Sequence, residues 1–141
     1  MFDELDKYKK NDHFFLTSEV NLEKVCNAPK DKSGIFLVYE LKYGRIELVY
    51  IGTSSILNND GETNANETNL YNTIVNGIQF DAPRHWSWKQ KIIDEKIDAF
   101  DVYWYVTIDD KFKDSPLLVE TKILKTHYKI YNKYPRWNRK Q

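Results

Sequence analysis

Residues 33–54 read SGIFLVYELKYGRIELVYIGTS, two short apolar runs separated by Lys42-Tyr43-Gly44-Arg45. The first run, GIFLVYEL, is β-branched and aromatic and is apolar at both alternating positions, the pattern of a strand buried on both sides. The second, RIELVYIG, follows a Tyr-Gly turn signal, so the spacing predicts an antiparallel hairpin. Each run places a glycine next to an isoleucine and an aromatic residue: Gly34-Ile35-Phe36, then Tyr50-Ile51-Gly52. Such a hairpin is either ordinary core or two halves of a site folded against each other. The surrounding chain has to decide between them.

Upstream, residues 1–33 are polar, with one short helix expected where Ser18 can cap EVNLEKVC. Downstream, residues 53–69 are rich in Asn, Thr, Gly and Asp and read as a long loop, a length usually tied to function or mobility. NLYNTIVNG reads as a short helix ending at Gly77, and SWKQKIIDEKI as a second. AFDVYWYVTI alternates, with Phe100, Val102, Trp104, Val106 and Ile108 on one face and Asp101, Tyr103, Tyr105 and Thr107 on the other. A last helix starts at Ser115-Pro116, a capping residue followed by proline at the first helical position, and runs to Lys133. The order β-β-α-α-β-α is that of an α+β sheet layered with helices.

A chain of 141 residues fits one domain with a real core, and 41% hydrophobic residues with 15% aromatics exclude a disordered polymer. Cys26 is the single cysteine, so no internal disulfide forms and a reducing compartment is the natural setting. The opening MFDELDKYKKNDHFF lacks the apolar core of a signal peptide, and no apolar run reaches the roughly 20 residues of a membrane span. The expectation is a cytoplasmic chain without a membrane partner. Net charge is zero, yet residues 121–141 carry seven basic and no acidic residues, leaving −7 for the 120 before them. A concentrated basic segment suits a phosphate backbone, although a solvated basic helix face has the same composition.

On the last helix Leu117, Glu120, Leu124, His127 and Tyr131 fall on one side, flanked by Ile123 and Tyr128. Glu120 thus lies in the stripe expected to face the sheet, where an unpartnered carboxylate is costly. It can be paired with a core Arg or Tyr, lie on the rim and reach water, or hold a metal. His127 on that apolar side reads as a core histidine. His85, beside Arg84, is open to a catalytic or a structural role. Trp86 and Trp88 cannot share one helix face, so at least one is core. No zinc spacing, nucleophile elbow or glycine-rich phosphate loop is present.

The pair Gly34-Ile35-Phe36 and Tyr50-Ile51-Gly52 resembles the signature of the GIY-YIG endonucleases. In that family the two halves lie on adjacent strands, a following helix carries an arginine, a later helix carries a metal-binding glutamate, and a proline and an asparagine come near the end. Glu120 and YPRWN, with Pro135 and Asn138, stand in the matching places, and the resemblance spans roughly residues 33–138. It implies a single domain over 1–141, with a core over 34–138 behind an N-terminal extension over 1–33. That core is a central antiparallel sheet of about three strands flanked by helices. It implies a metal-dependent endonuclease hydrolysing DNA phosphodiesters, with RNA left open and the oligomeric state unspecified. Glu120 would bind Mg2+ or Mn2+, Tyr50 would position or activate water, Arg84 with His85 beside it would steady the phosphate, and Asn138 would orient the site. Lys122, Lys125, Lys129 and Arg136 would hold the backbone, and the loop over 53–69 would contact substrate.

Two positions depart from the pattern. Phe36 has no hydroxyl where the motif has tyrosine, and Tyr39 points to the opposite strand face. Thr73 stands where an arginine is expected, so Arg84 has to serve. The alternative is a catalytically impaired nucleic-acid-binding module that keeps the fold.

Overall fold

The computed structural model describes residues 2–54 and 69–138. The expected substrate loop over 53–69 lies, apart from its ends, outside the described residues.

Strands β2 (Ser33–Lys42) and β3 (Arg45–Thr53) form the expected hairpin, closed by Tyr43 and Gly44, both at positive φ. Two consecutive positive-φ residues match the right-handed twist of the flanking strands, which is why a tight hairpin turns there. Strand β6 (Ala99–Ile108) pairs antiparallel with β2 on its other side. The sheet is four-stranded, in the order β1-β6-β2-β3. This corrects the expectation of about three strands: β1 (Asn11–Leu16) adds to β6, so the segment read as a polar extension builds one edge of the sheet. An edge strand needs only one buried side, here Phe14 and Leu16, and two apolar positions among charges carry too little periodicity to be read.

Helices cover both faces. On one lie α1 (Leu22–Val25), α2 (Leu70–Asn76) and α3 (Arg84–Glu95), sealing a core of Phe36, Val38, Ile74, Trp88, Phe100 and Val102. On the other lies α4 (Pro116–Tyr131), with Val119 and Ile123 on Ile35, Leu37 and Ile51, joined by Phe2, Leu5 and Tyr8 of the N-terminal segment. Alternate β2 residues thus enter different cores, which accounts for a strand apolar on both sides. Each such buried side chain contributes about 1.5–3 kcal/mol. Among the described residues no helix is long and apolar enough to cross a membrane.

Three local expectations change. Ser18 lies in a turn, and the first helix is one turn opened by Asn21. Ser115 precedes α4 without a side-chain capping bond, and the helix ends at Asn132 in the left-handed region. The buried stripe of α4 is Pro116, Val119, Ile123 and His127, while Leu117 and Tyr131 are exposed. The helix is therefore turned by about one residue, some 100°, from the reading centred on Glu120. Compact Val119 and Ile123 seat against the strands, and the carboxylate moves to the edge of the stripe.

Candidate active site

The motif hairpin places Phe36 opposite Gly52, with Tyr50 two residues back on the same face. A Cβ on Gly52 would lie 2.5 Å from Cζ of Phe36 and 2.7 Å from Cε2 of Tyr50. Glycine is required there because two rings close over it. Phe36 is fully buried and Tyr50 half-buried, their centroids 5.8 Å apart.

Arg84, the first residue of α3, extends its guanidinium over these rings, 5.1 Å from Phe36, 5.6 Å from Tyr50 and 5.7 Å from Trp88. Its Nε donates to Oε1 of Gln79 at 2.9 Å and its Nη1 to the carbonyl of Thr73 at 2.6 Å. Gln79 also accepts from Nε1 of Trp88, locking both donors to one amide oxygen. Gly77 lies beneath: a Cβ there would collide with Nη1 of Arg84. The expected helix end at Gly77 is observed, but its φ is not left-handed, so its need for glycine is the approach of Arg84.

Arg84 is only 6% exposed, and no carboxylate among the described residues pairs with it. Burial lowers its pKa, and the neighbouring Tyr50 phenol opposes that fall through charge and hydrogen bonding. A desolvated cation held by an amide, a carbonyl and aromatic faces retains an unanswered charge, and an anion beside it would be strongly favoured. Thr73, where the resemblance expects arginine, instead supplies the backbone oxygen that carries Arg84 to the hairpin.

Asn138 ends the last 3-10 turn, and its amide clamps the edge strand. Its Nδ2 donates to the Ile51 carbonyl and its Oδ1 accepts from the Ile51 N–H, both at 2.9 Å. One side chain thereby satisfies the edge groups of a residue next to Tyr50, as a paired strand would. Trp137 packs edge-on to Phe80 and Phe100 at 5.0 and 5.4 Å, closing the hydrophobic side.

Glu120 projects from the other face of the sheet. It lines a groove of about 260 Å³ with Thr121, Leu124, Lys125, Tyr134 and Asn138. The carboxylate has no hydrogen bond or ion pair with the described residues, and burial pushes its pKa up to about 7. Neither a core Arg nor a Tyr holds it, and it opens to a groove. Tyr50 and Arg84 do not line that groove. Asn138 is the residue common to both places, one end of its turn at the groove and its amide on the strand of Tyr50.

The remaining expectations separate. His85 turns toward Glu23 of α1, with Nδ1 4.0 Å from the carboxylate, and is absent from the groups around Arg84. His127 is buried, its Nδ1 2.7 Å from the carbonyl of Lys133, which closes the end of α4. Trp88 is core and Trp86 exposed. Lys122, Lys125 and Lys129 are exposed along α4, and Lys125 borders the groove of Glu120. Arg136, expected to hold the nucleic-acid backbone, binds Glu40 at 2.8 Å and Glu47 at 3.0 Å, tying the final turn to the hairpin. Glu40 is buried, so this guanidinium is engaged internally.

Sequence reasoning missed Gln79. Gln79 sits in a miniature hairpin, β4 (Ile78–Gln79) and β5 (Ala82–Pro83), turned through Phe80 and Asp81 at positive φ. Neither turn residue is glycine, so the usual signal was absent. Among the described residues no group of three or more acidic, His or Cys side chains is placed to hold a metal. No family model matches the chain, and no curated protein or solved structure matches it either.

Proposed function

We propose that this protein is a metal-dependent endonuclease of GIY-YIG type that hydrolyses phosphodiester bonds of DNA. The observation that carries the reading is Arg84, a buried guanidinium without a carboxylate partner among the described residues, seated on the motif hairpin against Tyr50. A phosphate drawn to that hairpin supplies the missing negative charge, and Arg84 steadies its nonbridging oxygens as charge builds on them. Tyr50 holds the attacking water beside the guanidinium. The water oxygen bonds to phosphorus as the ester P–O bond breaks, the phenol oxygen orienting the water by a hydrogen bond while the water's proton passes to solvent and the leaving oxygen takes one from solvent. Asn138 fixes the peptide of Ile51 and so the bearing of Tyr50.

Glu120 fits a divalent ion that keeps most of its water, because its carboxylate is desolvated and forms no ion pair among the described residues. Mg2+ or Mn2+ held there would supply Lewis-acid polarisation to a phosphate of a DNA strand crossing at Asn138, the residue common to that groove and the hairpin edge. Lys122, Lys125 and Lys129 provide a basic stripe next to that groove for the DNA backbone.

A second reading is favoured by one observation: the groove of Glu120 contains neither Tyr50 nor Arg84. A module that binds nucleic acid without cutting it would need only the lysine stripe. Incubation with supercoiled plasmid and Mg2+ or Mn2+ separates the two. Nicking that disappears in Glu120→Ala supports the enzyme. Salt-sensitive retention without nicking supports the module, and the absence of both nicking and retention overturns a nucleic-acid role.

A further inference from the structure

The strand end of the α4-facing side carries a second cleft, of about 300 Å³, lined entirely by strand residues. Phe15, Tyr39, Tyr103 and Tyr105 form its walls, and Asp101 is the one charged residue that lines it. The Tyr39 and Tyr103 rings meet at 77° with centroids 5.6 Å apart, making a corner of two aromatic faces. Phe15 stands open at the rim, 49% exposed. His13 stacks on Tyr103 at 4.6 Å and 9°, and its Nδ1 lies 2.7 Å from Oδ1 of Asp101, so ring and carboxylate are both braced from the neighbouring strand.

The chemistry of this lining selects among ligands. A phosphate-bearing ligand would meet a carboxylate and no cation. A neutral apolar ligand would use the rings but gain nothing from the charge of Asp101, whose Oδ1 is already held by His13. An organic cation uses both, because aromatic faces attract a cation through their quadrupoles and the carboxylate through its charge. Leu41 and Ile46 supply apolar surface for alkyl groups on such a cation. Burial, with neighbouring Tyr and Asp groups adding to it, pushes the Tyr39 phenol up to about 12 and raises that of Tyr103, keeping both phenols neutral at ordinary pH.

We propose that this cleft binds an alkylated ammonium group, with Tyr39, Tyr103 and Phe15 as its aromatic walls and Asp101 as its counter-charge. The site is independent of the nuclease reading: Tyr39, Leu41 and Ile46 come from the same two strands, but the cleft shares no residue with Gly34-Ile35-Phe36, Tyr50-Ile51-Gly52, Arg84 or Glu120. The test is an NMR titration of the full chain, following the tyrosine ring signals with choline and with 3,3-dimethyl-1-butanol, its neutral isostere. Choline is expected to saturate the Tyr39 and Tyr103 shifts at roughly millimolar concentration, about ten-fold tighter than the alcohol. Asp101→Asn should reduce the preference for choline several-fold by removing the counter-charge, leaving the smaller preference that the aromatic faces alone provide. Phe15→Leu, at an exposed edge position that keeps the fold, should weaken choline several-fold. Equal affinity for the two ligands overturns the proposal, as does the absence of shifts up to about 100 mM. Shifts that follow protein concentration instead of choline also overturn it, and would assign the face to a second copy of the chain.

Discussion

Replacing Glu120 by glutamine removes a charge and keeps the shape, and its effect on stability can be worked out from the carboxylate's surroundings. Burial, with no cation to offset it, raises this carboxyl from an ordinary 4.5 to about 7 in the folded protein. The folded state therefore holds a proton that the unfolded chain releases near its ordinary value. The stabilising contribution is fully present below about pH 4.5 and is lost as pH rises toward 7, then levels off. A shift of that size has a ceiling of about 3 kcal/mol. The side chain keeps part of its hydration at the groove, which discounts the effect to about 1–2 kcal/mol. Urea unfolding in EDTA at several pH values from 5 upward reads it directly. Glu120→Gln should match the wild type near pH 5 and exceed it by about 1–2 kcal/mol at pH 8. Added Mg2+ at ten times its dissociation constant should then return about 1.4 kcal/mol to the wild type alone. Parallel stability curves for the two proteins across this range would refute the reasoning, because they would mean the carboxylate ionises as freely folded as unfolded.

Gly77→Ala should displace the Arg84 guanidinium, which abuts the position a Cβ would take, and reduce cleavage by about 100-fold, as loss of a charge stabiliser does; activity within a few-fold of wild type would contradict it. Asn138→Ala removes two bonds to the Ile51 peptide and should lower unfolding stability by about 1–3 kcal/mol, with hydrogen exchange at Ile51 accelerated. Charge removal at Lys122, Lys125 and Lys129 together should flatten the slope of log affinity for DNA against log salt by about 3, and an unchanged slope would place the nucleic acid elsewhere.

The hairpin was legible from two β-branched and aromatic runs joined by a Tyr-Gly turn, and β6 from an alternation long enough to show its buried side. Strand β1 was not, because an edge strand with Phe14 and Leu16 inward requires only two apolar residues, here set among Asn, Asp and His. The face of α4 was misread by one residue because Leu117, Leu124 and Tyr131 form as plausible an apolar stripe as Val119, Ile123 and His127. Only the seat against the sheet, with Leu5 and Tyr8 arriving from the N-terminal segment, chooses between them. The partnership of Tyr50 and Arg84 follows from tertiary packing across a two-residue hairpin that no turn signature announced. Arg136 shows the converse: a basic residue in a basic tail looks free, while its actual partners, Glu40 and Glu47, lie some 90 residues earlier.

The most direct measurement is single-turnover cleavage of an end-labelled DNA duplex with Mn2+, comparing the wild type with Tyr50→Phe, Arg84→Lys and Glu120→Gln. The account expects metal-dependent cutting by the wild type, rates lowered by about 100-fold or more in the Tyr50 and Arg84 variants, and no cutting by Glu120→Gln. An intact duplex under every metal, or a Glu120→Gln protein that cuts at the wild-type rate, would contradict it.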